Sequence, residues 1–181
     1  STVSAFTEKS TWAPGDWLVQ KDLAEVLRRV AQQGREGFYT GRTAALIVRE
    51  MKRQGGMVTE EDLKNYHSAW RAPLSFRHKD MEIITMPPPS SGGLILQQVL
   101  AMTADQPLSR WGFHSPEAVH LMVEAERRAY ADRAEHMGDP DFWKVPVKQL
   151  GSAKYIKQRM ADFNPNAATP STSVKAGQIV E

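Results

Sequence analysis

The chain has 181 residues, of which 41% are hydrophobic and 24% charged, and none is cysteine. Its 23 basic and 21 acidic residues give a formal net charge of +2, which excludes the clustered basic surface typical of nucleic-acid-binding proteins. Without cysteine there is no disulfide, zinc–thiolate site or cysteine nucleophile, and no apolar run approaches the roughly 20 residues that span a bilayer. The composition therefore predicts a soluble globular protein with no membrane span and no nucleic-acid partner.

Three helices are predicted in the N-terminal part of the chain. Residues 20–33 carry apolar side chains at three- and four-residue spacing and end at Gly34, which is typical of an amphipathic helix. Residues 41–54 form a second helix that Thr40 is expected to cap, after a loop at residues 37–41. A third, short helix at residues 60–66 begins with Thr59 and an aspartate three residues later, a weaker form of the capping box.

A β-hairpin is the strong strand signal of the sequence. Residues 74–77 and 81–86 are extended, apolar stretches separated by a polar link at residues 78–80. Because two strands do not make a stable sheet alone, we expect the hairpin, residues 74–86, to join strands that lie outside this chain.

The turn after the hairpin is the first candidate site. Three prolines, which cannot donate to a sheet ladder, lead into Ser90, Ser91, Gly92 and Gly93, and a helix is predicted from residue 94 to about 105. Either serine is expected to cap that helix, and the glycine pair allows close packing or presents N–H groups to an anion. A serine nucleophile is the alternative, but the Gly-x-Ser-x-Gly elbow is absent, so the sequence favours the cap.

Two further helices and a tail complete the chain. A serine followed by proline and glutamate starts the longest helix, residues 115–137, whose small residues allow close approach of its neighbours. Residues 145–147 are predicted to be extended, and the last helix runs from 152 to about 163. Residues 164–181 are rich in Asn, Pro, Ala, Thr and Ser, which predicts an extended tail lying on another surface.

Two groups of polar residues on the longest helix are candidate sites. Glu117, His120 and Glu124 resemble half of a di-iron site, but no second Glu-x-x-His exists, so a solvent-facing capped helix is favoured. The charged residues from 124 to 135 could bind a partner, but their spacing favours ion pairs with each other along a helix face. Residue chemistry alone therefore identifies no active site and no metal site.

Several motifs, in order along nearly the whole chain, resemble the large subunit of bacterial γ-glutamyltranspeptidases. The central ones are Met-Pro-Pro-Pro-Ser-Ser-Gly-Gly at residues 86–93, Ala-Glu-Arg-Arg-Ala-Tyr-Ala-Asp-Arg at 125–133 and Gly-Asp-Pro-Asp-Phe at 138–142. Upstream, residues 18–23, 37–41 and 55–63 resemble the same family in the same order. A collinear set of this kind is far more specific than any single motif.

The resemblance implies an α+β fold, part of the αββα sandwich of N-terminal-nucleophile hydrolases, in which this chain is mostly helical with one hairpin. It also implies a precursor that cuts itself, so that a threonine freed at the start of the small subunit becomes the nucleophile, with its own amino group as base. Residues 1–163 match the C-terminal half of the large subunit, and residues 164–181 an extended tail leading towards the autocleavage site. The turn at Ser90, Ser91, Gly92 and Gly93 is expected near the subunit boundary.

The resemblance assigns no catalytic residue to this chain. The family's Thr-x-His pattern is absent, and Arg71 matches the start of the hairpin and not the arginine that holds the substrate carboxylate. The implied partners are the small subunit, the N-terminal part of the large subunit and a small γ-glutamyl substrate, with no metal or organic cofactor. Because residues 1–6 are neither basic nor apolar enough for a signal or transit peptide, we expect a chain cut from a longer, periplasmic or secreted enzyme, inactive by itself.

Alternatives within the family are a cephalosporin or glutaryl acylase and a poly-γ-glutamate transpeptidase. A degenerate member that keeps the scaffold for binding is a further alternative. From another class, a non-catalytic helical binding module fits a largely helical chain. The hairpin distinguishes the enzyme fragment from the binding module. In a module its amide groups are protected from exchange in the isolated chain, whereas in a fragment the hairpin needs a partner chain.

Overall fold

The computed structural model describes residues 5–179, which divide into two compact units, Ser1–Ala69 and Trp70–Glu181. The structure does not describe residues 1–4 and 180–181. The start of the predicted region 1–163 and the end of the predicted tail 164–181 therefore lie outside the described residues. Within residues 5–179, no helix has both the length and the apolar character needed to cross a membrane.

The first unit is helical. Its elements are α1 Lys21–Gln33, α2 Glu36–Tyr39, α3 Gly41–Arg53 and α4 Glu60–Asn65. The one-turn helix α2 packs against both α1 and α3. Gly37 allows this packing, because a Cβ atom at this position would lie 2.3 Å from the carbonyl oxygen of Arg29. Thr43 completes the contact by donating a 2.7 Å hydrogen bond to the Gly37 carbonyl oxygen.

The predicted helices of this unit are confirmed, and two local details differ. Residues 36–39 form a helical turn where a loop was predicted, and Thr40 does not cap α3. Its hydroxyl donates instead to the carbonyl oxygen of Glu36, so it closes α2. The capping box of Thr59 and Asp62 is present at the start of α4.

The second unit begins with the hairpin. Strand β1, Leu74–His78, pairs antiparallel with β2, Met81–Thr85, so that Leu74 faces Thr85 and His78 faces Met81. The two-residue turn contains Lys79 at φ 55°, in the left-handed region. In the part of the chain that the structure describes, this is a two-stranded sheet, and its pairing with further strands stays a prediction.

Five helices follow the hairpin in the described residues. They are α5 Gly92–Thr103, α6 Leu108–Trp111, α7 Pro116–His136, α8 Val147–Leu150 and α9 Ala153–Arg159, before a 3-10 turn at Ser171–Ser173. Helix α5 packs along α7 and also contacts β1, α8 and α9. Two apolar clusters fill the space between them. One contains Leu94, Leu150 and Tyr155, and the other Met102, Ala125 and Ile156.

The sequence predictions for this unit hold for the two long helices. Ser115 caps α7 through the Ala118 N–H with proline at the first helical position, and the helix predicted from residue 94 is α5. Helix α9 ends at Arg159 and not near 163, and residue 147 opens the helical turn α8 where an extended segment was predicted. The small residues Ala118, Ala125 and Ala129 of α7 are buried.

Candidate functional site

The turn that joins β2 to α5 is a close-packed corner. The Ser90 N–H donates a 3.1 Å bond to the Pro87 carbonyl oxygen, which closes the turn. Gly93 is buried in the first turn of α5, and a Cβ atom there would lie 2.2 Å from the Met86 carbonyl oxygen. The absence of a side chain at Gly93 therefore lets α5 start directly against the end of β2.

The two serines of the turn have roles different from those predicted. Ser91 occupies the N-cap position of α5, but its side chain makes no capping bond. Its hydroxyl oxygen accepts a 2.9 Å bond from Arg133 Nε of α7 instead, so it ties the corner to that helix. Ser90 Oγ accepts only a long, 3.4 Å bond from the Gly92 N–H. In the described residues neither serine is hydrogen-bonded to a histidine or a carboxylate, as a serine nucleophile requires.

A stripe of charged side chains along α7 is buried. Glu124, Arg128 and Asp132 are spaced four residues apart, so they lie on one face of the helix, and each is at most 2% exposed. The predicted ion pairs are present, because Glu124 pairs with Arg127 and Arg128. The spacing did not predict that this face is buried, which it is under the tail and under side chains of α5 and α9.

Hydrogen bonds compensate for the burial of Glu124. Burial by itself would raise the pKa of Glu124, but hydrogen bonds from Thr169 and Arg128 outweigh it and lower the pKa from 4.5 to about 2. The Thr169 N–H donates over 3.0 Å to Glu124 Oε1, and Arg127 Nη1 donates over 2.8 Å to the same oxygen. Glu124 is therefore held as a carboxylate at neutral pH.

Asp132 joins three elements at one buried carboxylate. It accepts a 3.0 Å bond from Gln98 Nε2 of α5, a 3.1 Å ion pair from Arg159 Nε of α9 and a 2.9 Å bond from the Gly177 N–H. Arg128 completes the network by donating to Asp162 Oδ1 over 2.8 Å. The buried charges of α7 are thus paired, which is the condition under which ionised groups remain stable away from water.

The tail, residues 164–179, lies along α7 of this same chain. His120 Nε2 is 3.0 Å from the Asn164 carbonyl oxygen, and Arg127 Nη1 donates over 2.8 Å to the Thr169 carbonyl oxygen. Towards the end of the helix, His136 Nε2 is 2.8 Å from the Gly177 carbonyl oxygen. The surface that the sequence predicted for the tail is therefore α7.

The end of the tail is tightly enclosed. A Cβ atom at Gly177 would lie 2.4 Å from Tyr155 Oη and 2.7 Å from Arg159 Cδ, so a larger residue does not fit without displacement. Burial, with the negative charge of Asp132 nearby, raises the pKa of the Tyr155 hydroxyl. Tyr155 is thus neutral at physiological pH and forms an uncharged wall beside the tail.

The remaining candidate residues from the sequence are those of the possible metal site and Arg71. No group of three or more His, Asp or Glu side chains within residues 5–179 is arranged to hold a metal ion. Of the three residues considered for a metal, Glu124 is held by arginines and His120 contacts the tail. Arg71 forms a two-pronged ion pair with Asp141, which ties the start of the hairpin to the loop after α7.

The comparisons with known proteins point to one family. A family model described as Gamma-glutamyltranspeptidase matches residues 2–180. The chain is 41% identical over 165 residues to the glutathione hydrolase proenzyme of Escherichia coli (strain K12). This alignment covers 91% of this chain and 28% of that protein. The chain is also 38% identical over 164 residues to the Acylase ACY 1 proenzyme of Pseudomonas sp. (strain SE83), covering 91% of this chain and 29% of that protein.

The solved structures agree. The gamma-glutamyltranspeptidase of Helicobacter pylori superimposes with a TM-score of 0.80 at 38% identity, over 99% of this chain and 56% of that chain. The chain spans less than a third of the length of the two curated relatives described above.

Proposed function

This chain belongs to the gamma-glutamyltranspeptidase family, whose solved structures have the N-terminal-nucleophile hydrolase fold, and we propose that it forms the C-terminal part of a large subunit. The complete enzyme transfers γ-glutamyl groups from glutathione or related amides to water or to an amino acid. The observation that carries this proposal is the match to glutathione hydrolase proenzymes, which covers nine-tenths of the chain at 41% identity. The reaction proceeds through a threonine acyl-enzyme, with the threonine on the small subunit.

In this proposal the chain contributes scaffold and not catalytic groups. The corner at Ser90, Ser91, Gly92 and Gly93 lies near the boundary with the small subunit, and α5 and α7 cover one face of the central sheet. Residues 164–181 lead towards the self-cleavage site. Support comes from the corner's dense packing, which fixes the start of α5 relative to β2, and from the network that holds the tail on α7.

Exposed apolar residues on the second unit support the proposal that segments from outside this chain cover its surface. Ile84 and Met86, at the end of β2, are 68% and 64% exposed, and Trp70 beside the hairpin is exposed as well. The described sheet has two strands, so both of its edges have unpaired backbone groups. We propose that strands of the small subunit and of the N-terminal part of the large subunit cover this surface. Following the resemblance, we propose that the enzyme is periplasmic or secreted.

The experiment that tests this function uses the full-length precursor. Intact-mass analysis and amino-terminal sequencing are expected to find two chains, the smaller beginning with threonine. The matured protein is then assayed with glutathione and with a chromogenic γ-glutamyl anilide, with and without a dipeptide acceptor. Release of γ-glutamyl groups, accelerated by the acceptor when transfer dominates, is the expected result.

The same preparation separates the alternatives. Similarity to an acylase proenzyme makes a glutaryl cephalosporin the appropriate second substrate, and poly-γ-glutamate is the third. If kcat/KM is higher for the glutaryl cephalosporin or for poly-γ-glutamate than for glutathione, that compound is the substrate instead of glutathione. A single uncut chain with no turnover of any of the three contradicts the enzyme proposal and favours the binding module.

A further inference from the structure

One face of α7 binds the backbone of the tail at successive points. This tail-binding face consists of His120, Glu124, Arg127, Asp132 and His136. Their spacing of three to five residues spreads them over about half of the circumference of α7. Their partners follow in the same order along the tail, from Asn164 through Thr169 to Gly177. The tail therefore runs in the same direction as the helix.

The contacts hold the tail by its backbone at two residues. Glu124 binds the Thr169 N–H while Arg127 binds the Thr169 carbonyl oxygen. In the same way, Asp132 binds the Gly177 N–H and His136 binds the Gly177 carbonyl oxygen. Both groups of each of these two peptide residues are satisfied by the tail-binding face.

The tail is not fully extended between its two binding points, Thr169 and Gly177. Glu124 and Asp132 are eight residues apart, about 12 Å along a helix, whereas eight extended residues reach about 27 Å. The 3-10 turn at Ser171–Ser173, where Arg127 also donates to Ser171 Oγ over 3.2 Å, shortens the path of the tail between these two points. Slippage by one residue would bring Ala176 or Gln178 to the position of Gly177, where a Cβ atom would lie 2.4 Å from Tyr155 Oη. Only one register fits.

We propose that the tail-binding face positions the segment after Gly177 for self-cleavage, with Arg127 and His136 as positioning residues. The inference rests on the proposed function, in which the tail leads to the bond that is cut. The net step is hydrolysis of one peptide bond: water is consumed, the tail gains a carboxylate and the small subunit gains a free amino terminus. A tail held at Gly177 delivers that bond in a narrow range of positions, which raises the rate of an intramolecular step.

Arg127 and His136 are the appropriate residues to change. The side chains of Glu124 and Asp132 also bind Arg128, Gln98 and Arg159 in the core, so their loss disturbs folding. Arg127 binds the tail from a partly exposed position on α7, and the His136 side chain is 2.8 Å from the Gly177 carbonyl oxygen. The variants are Arg127→Ala, His136→Ala and the double variant, each in the full-length precursor.

Two kinds of control accompany these variants. Arg110→Ala removes an exposed arginine from α6, away from the tail contacts described above, and so matches the loss of charge. His136→Gln and Arg127→Lys keep a hydrogen-bond donor and test rescue. The precursors are made by cell-free synthesis, and the appearance of the two subunits is followed by intact mass over time.

Each alanine variant is expected to slow self-cleavage by about 3- to 10-fold, and the double variant by about 10- to 100-fold. The two conservative variants and Arg110→Ala are expected to cleave within about 3-fold of wild type. Once cleaved, all of them should hydrolyse the γ-glutamyl anilide with wild-type kcat and KM. A general structural defect would lower those constants too.

A second pair of variants covers the case in which the alanine variants misfold. Gly177→Ala forces the tail away from Tyr155, while Gln178→Ala changes an exposed neighbour. Gly177→Ala is expected to slow cleavage at least about 10-fold, and Gln178→Ala is expected to leave it unchanged. Folded Arg127→Ala, His136→Ala and Gly177→Ala proteins that cleave at the wild-type rate overturn the inference alone. A wild-type precursor that never cleaves overturns the proposed function as well.

Discussion

Replacing Gly93 by alanine tests whether the corner between β2 and α5 depends on the absence of a side chain. The new Cβ atom would lie 2.2 Å from the Met86 carbonyl oxygen and 2.8 Å from Thr85 Cγ2. Because the first of these atoms is backbone, it cannot rotate away. The helix and the end of the strand therefore have to separate by about 1 Å to reach an ordinary van der Waals distance.

The magnitude follows from two opposing terms. Overpacking of a buried site costs about 1–3 kcal/mol, and the better helix propensity of alanine offsets at most about 1 kcal/mol. With a contact this short, we expect a net loss of about 2 kcal/mol. Gly92 is a matched control, because it is exposed, lies in the same helical turn and would place its Cβ atom 3.6 Å from Ser90 Oγ. Gly92→Ala is expected to be neutral or stabilising by up to about 1 kcal/mol.

Hydrogen exchange measured by mass spectrometry on the full-length protein reports the difference locally. Peptides spanning residues 81–103 are expected to open about 30-fold more often in Gly93→Ala and no more often than wild type in Gly92→Ala. Gly93→Val, with a larger side chain, is expected to reduce the yield of self-cleaved protein as well. Equal protection of the two alanine variants would refute the reasoning, because the clash at Met86 would then have no energetic consequence.

Three further changes test separate parts of the chain. Because its pKa is lowered from 4.5 to about 2, ionised Glu124 stabilises the fold fully above pH 4.5 and progressively less as the pH falls towards 2. The denaturation midpoint of wild type should fall across that window, and an equal fall in Glu124→Gln argues against this carboxylate. His120→Ala should leave γ-glutamyl hydrolysis within a few-fold of wild type, since its ring contacts the Asn164 carbonyl oxygen; loss of activity together with a bound metal, measured by elemental analysis, contradicts this. Thr59→Ala removes the capping box of α4 and should lower its stability by about 1 kcal/mol, seen as faster hydrogen exchange of residues 60–65; unchanged exchange means that packing holds α4 instead.

Helix starts and the hairpin could be predicted because their signals are local. The Ser115 cap with its proline, the capping box at Thr59 and the alternation of the hairpin each act within a few residues, and all three are present. Two predicted helix caps are wrong for the same reason. Thr40 and Ser91 are good capping residues, but each hydroxyl has another partner, the Glu36 carbonyl oxygen and Arg133 Nε respectively.

The sequence by itself determined the family, the helices and the hairpin, because motif order, apolar period and capping chemistry are written in neighbouring residues. It also gave the four-residue spacing of Glu124, Arg128 and Asp132, which fits an exposed ion-paired face equally well. Only the tertiary structure decided that these charges are buried, since Gln98 and Arg159 of two other helices and the Thr169 and Gly177 N–H groups supply the bonds that permit it. Those partners are 27 to 45 residues away along the chain, a separation at which spacing carries no information and packing alone selects the contact.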